Sequence, residues 1–129
     1  MIARAAAAFV ALTAALGAQE RPFHFVHDVQ PWLARAGCAA ADCHGGATGR
    51  GGLRLSLFGS DPRADWLALT VDREARRIDL REPGHSLLLR KPTLDLEHGG
   101  GARLVRGGRA WRSLRDWIEA RARFGDAAA

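Results

Sequence analysis

The two cysteines of the chain lie close together, and a histidine directly follows the second of them. Four residues separate Cys38 from Cys43, and His44 comes next, which makes the arrangement C-x4-C-H. Covalent haem is commonly attached at C-x2-C-H, where two thiols form thioether bonds to the porphyrin vinyl groups and the histidine ligates the iron. The extra residues enlarge the loop but keep this geometry. The motif predicts one haem c on Cys38 and Cys43, with His44 as the proximal iron ligand.

Two other kinds of site would use the same residues. In an oxidising compartment Cys38 and Cys43 could close a small disulfide loop beside a solvated His44. Zinc could take both thiols, His44 and one distant histidine, although adjacent ligands at 43 and 44 would strain a tetrahedral site. The motif favours haem over both, and a disulfide-closed interaction module without haem is retained as a rival interpretation.

The N-terminus has the features of a secretory signal peptide. Arg4 precedes an apolar stretch from Ala5 to Leu16, and the small residues Gly17 and Ala18 follow it. The stretch is shorter than the roughly 20 apolar residues of a membrane-spanning helix, and no second apolar segment follows. We therefore expect residues 1–18 to be a signal peptide and residues 19–129 to be one domain, exported to the periplasm or cell surface and not membrane-spanning after cleavage. Export agrees with the motif, because haem is attached covalently to exported chains.

The charge distribution gives no indication of a nucleic-acid surface. The formal net charge of +5 includes Arg4 of the predicted signal peptide, so the mature domain is only mildly basic. Arginines are scattered among Asp and Glu, without a basic run and without the interleaved aromatic residues that bind single strands. We expect no nucleic-acid partner.

The second axial position of a haem iron is usually filled by methionine or histidine in electron carriers. Met1 is the only methionine and leaves with the signal peptide, so a histidine, Lys91 or no protein ligand remains. The histidines outside the motif are His24, His27, His85 and His98. The first three fit exposed or capping positions. His98 is better placed, because the glycines 99–101 that follow it can lie flat against a porphyrin, and the spacing favours it as the distal ligand.

The hydrophobic pattern predicts short helices joined by two glycine-rich loops. A first helix is expected over 28–36, with Asp28 as its cap. A second begins at Asp61-Pro62 and ends near Thr70. One or two helical turns after Ser86 lie between prolines 83 and 92. The longest helix runs from about Arg109 to Phe124. Its apolar stripe (Trp111, Leu114 and Ile118) is expected to pack against Val29, Trp32 and Leu33.

These features together resemble the haem-binding cytochrome domain common in exported planctomycete proteins, often found ahead of two large domains of unknown function. The resemblance covers nearly all of the mature chain, and the C-x4-C-H spacing is familiar in that family. The matching segments are 28–33, 37–45, 53–57, 61–62, 77–78, 86–92, 98–101 and 114–118.

The resemblance implies a cytochrome c-like fold in which Cys38 and Cys43 hold the haem, His44 ligates it and His98 is the counterpart of the distal ligand. We therefore expect a small all-α fold with N- and C-terminal helices packed across each other beside a haem crevice. With both axial positions closed, the domain would be a non-enzymatic electron carrier for a redox partner protein. An open sixth position would instead suit a haem enzyme or sensor. Arg50 and Arg103, in the glycine-rich loops, could pair with haem propionates, but a solvated surface position is the favoured interpretation for either one.

Overall fold

Short helices and long irregular connections make up the computed structural model, which describes residues 21–126. The α-helices are α1 (Gln30–Arg35), α2 (Pro62–Thr70), α3 (Leu87–Arg90) and α4 (Arg109–Glu119). A π-helical turn, Phe25–Val29, leads directly into α1, and 3-10 turns occur at Leu57–Gly59 and Pro83–His85. The predicted signal peptide lies outside the described residues. Within them, no helix is long and apolar enough to cross a bilayer.

The predicted cytochrome c-like fold is wrong. Helices hold only 39% of the described residues, and coil forms most of the rest. The helix α4 packs on the π-helical turn and on the 3-10 turn Pro83–His85, and not across α1. The physical reason is that glycine-rich and proline-framed segments cannot sustain the hydrogen-bond ladder of a long helix. The core of the domain therefore consists of short helices joined by irregular segments.

The first helical segment begins earlier than predicted, and Asp28 does not cap it. His24 is the cap, because its Nδ1 accepts a hydrogen bond from the backbone N–H of Val26 at 3.3 Å. The carboxylate of Asp28 accepts from the backbone N–H of His24 at 2.6 Å and from Arg21 at 2.7 Å. Burial alone would raise the pKa of Asp28, but these hydrogen bonds together outweigh burial and lower it. Asp28 thus fixes the chain segment that enters the π-helical turn.

Helix α2 has the predicted ends. Asp61 Oδ1 accepts from the backbone N–H of Ala64 at 3.1 Å, and Pro62 occupies the first helical position. The helix ends at Thr70. The short helix α3 follows Ser86, but the Ser86 hydroxyl accepts from the backbone N–H of Asp79 at 2.9 Å and does not cap the helix.

Helix α4 begins at Arg109 as predicted but ends five residues before Phe124, at Glu119. Arg121 and Ala122 have φ of 78° and 46°, so the backbone leaves the right-handed helical region there. The pattern of apolar residues continues beyond Glu119 because the following segment is also packed, although it is not helical.

Two tryptophans and the N-terminal segment fix the chain after α4. Trp66 Nε1 donates to the carbonyl of Ala122 at 2.8 Å, and Trp117 Nε1 donates to the carbonyl of Arg123 at 2.9 Å. The backbone N–H of Phe25 donates to the carbonyl of Phe124 at 2.8 Å. These bonds satisfy buried polar groups and join the end of the described chain to its beginning.

One apolar core connects the π-helical turn, α2, α3 and α4. Its fully buried large side chains are Phe25, Val29, Leu69, Leu89, Leu114, Trp117 and Ile118. The predicted partners of the α4 stripe, Val29, Trp32 and Leu33, lie in or against this cluster, with Trp32 and Trp111 half-buried at its edge. The core supports one wall of the cavity described next, because Leu69 and Leu114 belong to both.

Candidate functional site

A cavity of about 610 Å³ brings together the four residues singled out from the sequence. Cys38, Cys43, His44 and His98 all line it, and we refer to it as the Cys–His cavity. Its volume lies within the range of about 300–1,000 Å³ typical of small-molecule and cofactor sites. The apolar part of its wall consists of Trp32, Leu33, Leu53, Leu55, Leu69, Leu87, Leu88, Leu104 and Leu114. An apolar wall that also carries polar groups suits a cofactor-sized, mainly apolar ligand.

The C-x4-C-H loop is held by its own backbone. The N–H of Cys38 donates to the carbonyl of Leu33 at 3.0 Å, so the loop starts directly at the end of α1. The N–H of Cys43 donates to the carbonyl of Ala40, and the N–H of His44 donates to the carbonyl of Cys38, each at 3.0 Å. These bonds fold the residues between the cysteines into a compact turn, and they place both thiols and His44 on the wall of one cavity.

Gly45, directly after the motif, is a packing requirement. A Cβ at this position would lie 2.0 Å from the carbonyl oxygen of Ala39 and 2.6 Å from its carbonyl carbon. Both atoms belong to the backbone of the C-x4-C-H loop, so they cannot move aside as a flexible side chain would. Only glycine lets the chain leave His44 this close to the loop.

Neither cysteine is in a disulfide, and both thiols are half-buried. Burial raises the pKa of the Cys38 thiol, and the neighbouring Cys43 raises it further. These two effects outweigh that of Arg103, which lowers the pKa.

The zinc hypothesis would need a convergent set of ligands. Within residues 21–126, no three side chains from among His, Cys, Asp and Glu form such a set.

The ring of His44 is oriented by two backbone carbonyls. Its Nδ1 lies 3.1 Å from the carbonyl oxygen of Arg50 and 3.0 Å from that of Leu53. A carbonyl only accepts, so Nδ1 carries the hydrogen and Nε2 carries the free lone pair. Burial lowers the pKa of His44, despite these carbonyls, and thereby favours the neutral imidazole. A neutral ring with Nδ1–H bound to a carbonyl is the form in which histidine ligates metals.

His98 repeats this arrangement on a different loop. Its Nδ1 lies 2.8 Å from the carbonyl oxygen of Gly101, and the N–H of Gly101 returns a bond to the carbonyl of His98 at 2.9 Å. Gly101 has φ of 76°, which this tight turn requires. Gly99 and Gly100 also line the cavity. The glycine run therefore orients the histidine in addition to forming part of the cavity wall.

The two imidazoles lie near each other and almost parallel. The ring centroids of His44 and His98 are 6.3 Å apart, with 25° between the ring planes. Two imidazoles that bind one metal from opposite sides, each at about 2 Å, have their centroids about 6 Å apart. The separation of the two ring centroids is therefore the one expected of two histidines that bind a single metal ion.

The other histidines lie elsewhere. His24 caps the π-helical turn, His27 is exposed, and His85 pairs with Glu82 at 2.5 Å with 62% of its side chain exposed. None of them lines the Cys–His cavity, whereas Lys91 does. Among the distal ligands that the sequence leaves open, the structure therefore brings only His98 and Lys91 to the cavity that holds His44.

Positive charge dominates the polar part of the cavity wall. Among residues 21–126, its cations are Arg50, Arg76, Arg77, Lys91 and Arg103, and Asp42 supplies its one carboxylate. Arg50 and Arg103 are the two arginines that the sequence proposed as propionate partners. A wall of this composition is complementary to a ligand with two carboxylates, such as haem.

Sequence reasoning named Arg77 only within a segment that carries the resemblance (77–78) and assigned it no role in the site. The residue is 7% exposed, and burial lowers its pKa, as do the neighbouring Arg76 and Arg73, while Asp72 acts in the opposite direction. In the sequence Arg77 follows Arg76 and precedes Ile78, which is typical of an exposed basic turn. No pattern of residue types marks a guanidinium that tertiary packing alone buries.

Comparison of the chain with protein-family models, with curated proteins and with solved structures returned no match. The functional interpretation therefore depends on the geometry of the site.

Proposed function

We propose that the domain is an exported c-type cytochrome that carries electrons through one covalently bound haem. Cys38 and Cys43 would hold the haem through thioether bonds, and His44 and His98 would ligate its iron from opposite sides. The observation that carries the proposal is the His44–His98 pair, with centroids 6.3 Å apart and both Nδ1 atoms bound to carbonyls, in a cavity that both cysteines line.

The residues of the cavity have separate tasks in this proposal. The carbonyls of Arg50, Leu53 and Gly101 fix the tautomer of both histidines, so that each keeps a lone pair on Nε2. The leucine-rich wall lowers the local polarity around the bound group and excludes water. When bound, haem supplies reversible one-electron exchange at its iron.

Ligation of the iron by both histidines would favour an electron carrier over an enzyme or sensor. With His44 and His98 as ligands, no coordination position is left for a substrate or a gas. The domain would then exchange electrons with a redox partner protein in the periplasm or at the cell surface. Covalent haem does not require a particular fold, because a functional site can be supported by unrelated architectures.

Covalent attachment is tested on protein produced in a host that attaches haem to exported chains. We expect the intact mass of the mature protein to exceed that of the apoprotein by one haem, and haem staining to survive denaturing electrophoresis. Cys38→Ala or Cys43→Ala should each reduce attachment, and the double variant should abolish it. His85→Ala, which alters an exposed histidine, is the matched control and should attach haem normally.

Two results would contradict the proposal. A mature protein that lacks haem and whose thiols resist alkylation until it is reduced would support the disulfide interpretation. Haem that is bound but leaves during denaturing electrophoresis would exclude the thioether role of Cys38 and Cys43.

A further inference from the structure

Arg77 is a buried cation on the wall of the Cys–His cavity. Its Nη1 donates to the carbonyl of Ala68, and its Nη2 donates to the carbonyl of Gly52, both at 2.8 Å. Gly52 belongs to the glycine-rich loop after His44, and Ala68 lies in the last turn of α2. Arg77 therefore joins the loop that orients His44 to a helix of the core.

The charge of Arg77 is incompletely balanced by the described protein. The ion pairs within residues 21–126 do not include Arg77. Its acceptors are the backbone carbonyls of Ala68, Gly52 and Asp72, and that of Ala68 offers only the partial negative charge of a helix C-terminus. The exposed carboxylate of Asp72 favours the charged guanidinium from a distance but forms no ion pair with it. A buried charge without an ion-paired counter-charge is costly, so a site of this kind calls for an anion.

The other cations of the cavity wall do not need a bound anion to stabilise their charge. Arg50, Arg76 and Arg103 are exposed, and Lys91 is half-buried, so solvent reaches all four. The only carboxylate in the wall, that of Asp42, is also on an exposed residue. Arg77 thus differs from its neighbours in that burial withholds most of the water that would otherwise solvate its charge.

Arg77 also has a donor group left to offer. No protein acceptor within residues 21–126 bonds to its Nε–H, yet no buried side-chain nitrogen in that range lacks a partner. The Nε–H is therefore not fully buried, and Arg77 lines the cavity. Guanidinium groups bind carboxylates with charge-assisted hydrogen bonds of this kind.

We infer that Arg77 is the principal carboxylate-binding residue of the Cys–His cavity and that it binds a propionate of the haem. The inference depends on the proposed function. It revises the sequence-based expectation for Arg50 and Arg103, which solvent already stabilises. Arg77 acts as a positioning residue, because it holds one edge of the cofactor to the loop that orients His44.

The inference has two consequences for the holoprotein. Removing a positive charge next to the haem stabilises the ferric state, so the midpoint potential falls. A propionate without its cation has a higher pKa and takes up a proton at milder pH, so the potential becomes pH-dependent near neutrality. The two histidines of the wall, His44 and His98, are iron ligands in the proposal in every variant tested.

The test compares Arg77→Gln, Arg77→Lys and Arg76→Gln holoproteins by redox titration over a series of pH values. We expect Arg77→Gln to lower the midpoint potential and to make it more pH-dependent, and Arg77→Lys to restore most of the wild-type behaviour. Arg76→Gln removes an exposed charge from the same wall and should cause a smaller shift without a new pH dependence. Equal behaviour of Arg77→Gln and Arg76→Gln, or a wild-type profile in Arg77→Gln, would overturn the inference.

A measurement on the wild-type holoprotein covers the case in which Arg77→Gln does not fold. Haem labelled with ¹³C at the propionate carboxyl carbons lets NMR follow both carboxylates during a pH titration. We expect one propionate to ionise at clearly lower pH than the other, and two propionates that titrate together would contradict the role of Arg77. Absence of haem from the wild-type protein would instead refute the proposed function itself.

Discussion

Leu114→Ala tests the packing of α4 against the rest of the core. The side chain is 1% exposed, belongs to the main apolar cluster and lines the Cys–His cavity. The part of leucine beyond Cβ contributes about 2.4 kcal/mol by transfer, at about 0.8 kcal/mol for each CH2-sized group. The space left behind adds to this, so we expect the free energy of unfolding to fall by about 2–5 kcal/mol.

The assay for Leu114→Ala is denaturant titration of the holoprotein, followed by circular dichroism and by haem absorption. Leu67→Ala is the matched control, because Leu67 also lies in a helix but is 40% exposed, and it should cost less than about 1 kcal/mol. We expect both signals of Leu114→Ala to change at the same lower denaturant concentration. A loss near zero, or one equal to that of Leu67→Ala, would refute the packing described for α4.

Three further predictions concern the loop, acid stability and the iron. Gly45→Ala should cost about 1–3 kcal/mol and reduce haem attachment, measured by intact mass, because its Cβ meets the carbonyl of Ala39. Gly84→Ala is the control, because its Cβ meets only ordinary contacts with Trp111 and Gly84 does not line the Cys–His cavity, so it should attach haem normally. Because folding lowers the pKa of Asp28, its ionised carboxylate stabilises the folded state above about pH 4, and this stabilisation is lost as the pH falls through the folded-state pKa. Asp28→Asn should therefore lower the free energy of unfolding at pH 7 but much less near about pH 2, as measured by denaturant titration. His98→Met should raise the midpoint potential in a redox titration if the sulfur ligates the iron, and an unchanged potential would contradict the assignment of His98.

The sequence was sufficient to predict those features of the structure that depend only on residues close together in the chain. Asp61 and Pro62 start α2 because a cap and a proline act on the first turn alone. The C-x4-C-H motif and the glycines after His98 indicated the four residues that now line one cavity. These features are short-range, and their physical causes lie within a few residues of each other.

Tertiary packing decided what the sequence could not predict. The end of α4 depends on Trp66 and Trp117, which bind carbonyls of the next segment and hold it in a non-helical path. The burial of Arg77 depends on carbonyls of Gly52 and Ala68, which are 25 and 9 residues away in the sequence. The cytochrome c-like fold was inferred by resemblance from the same short motifs, and motifs of that length do not determine how helices pack.

The most direct test of the central claim is the absorption spectrum of the oxidised and reduced holoprotein, recorded for the wild type and for His98→Ala. The proposal predicts a low-spin wild type that does not bind carbon monoxide readily when reduced. The variant should be high-spin and open to added ligands, because it lacks the imidazole opposite His44. A wild type that is already high-spin, or a His98→Ala spectrum that stays low-spin and unchanged, would contradict ligation of one iron by His44 and His98.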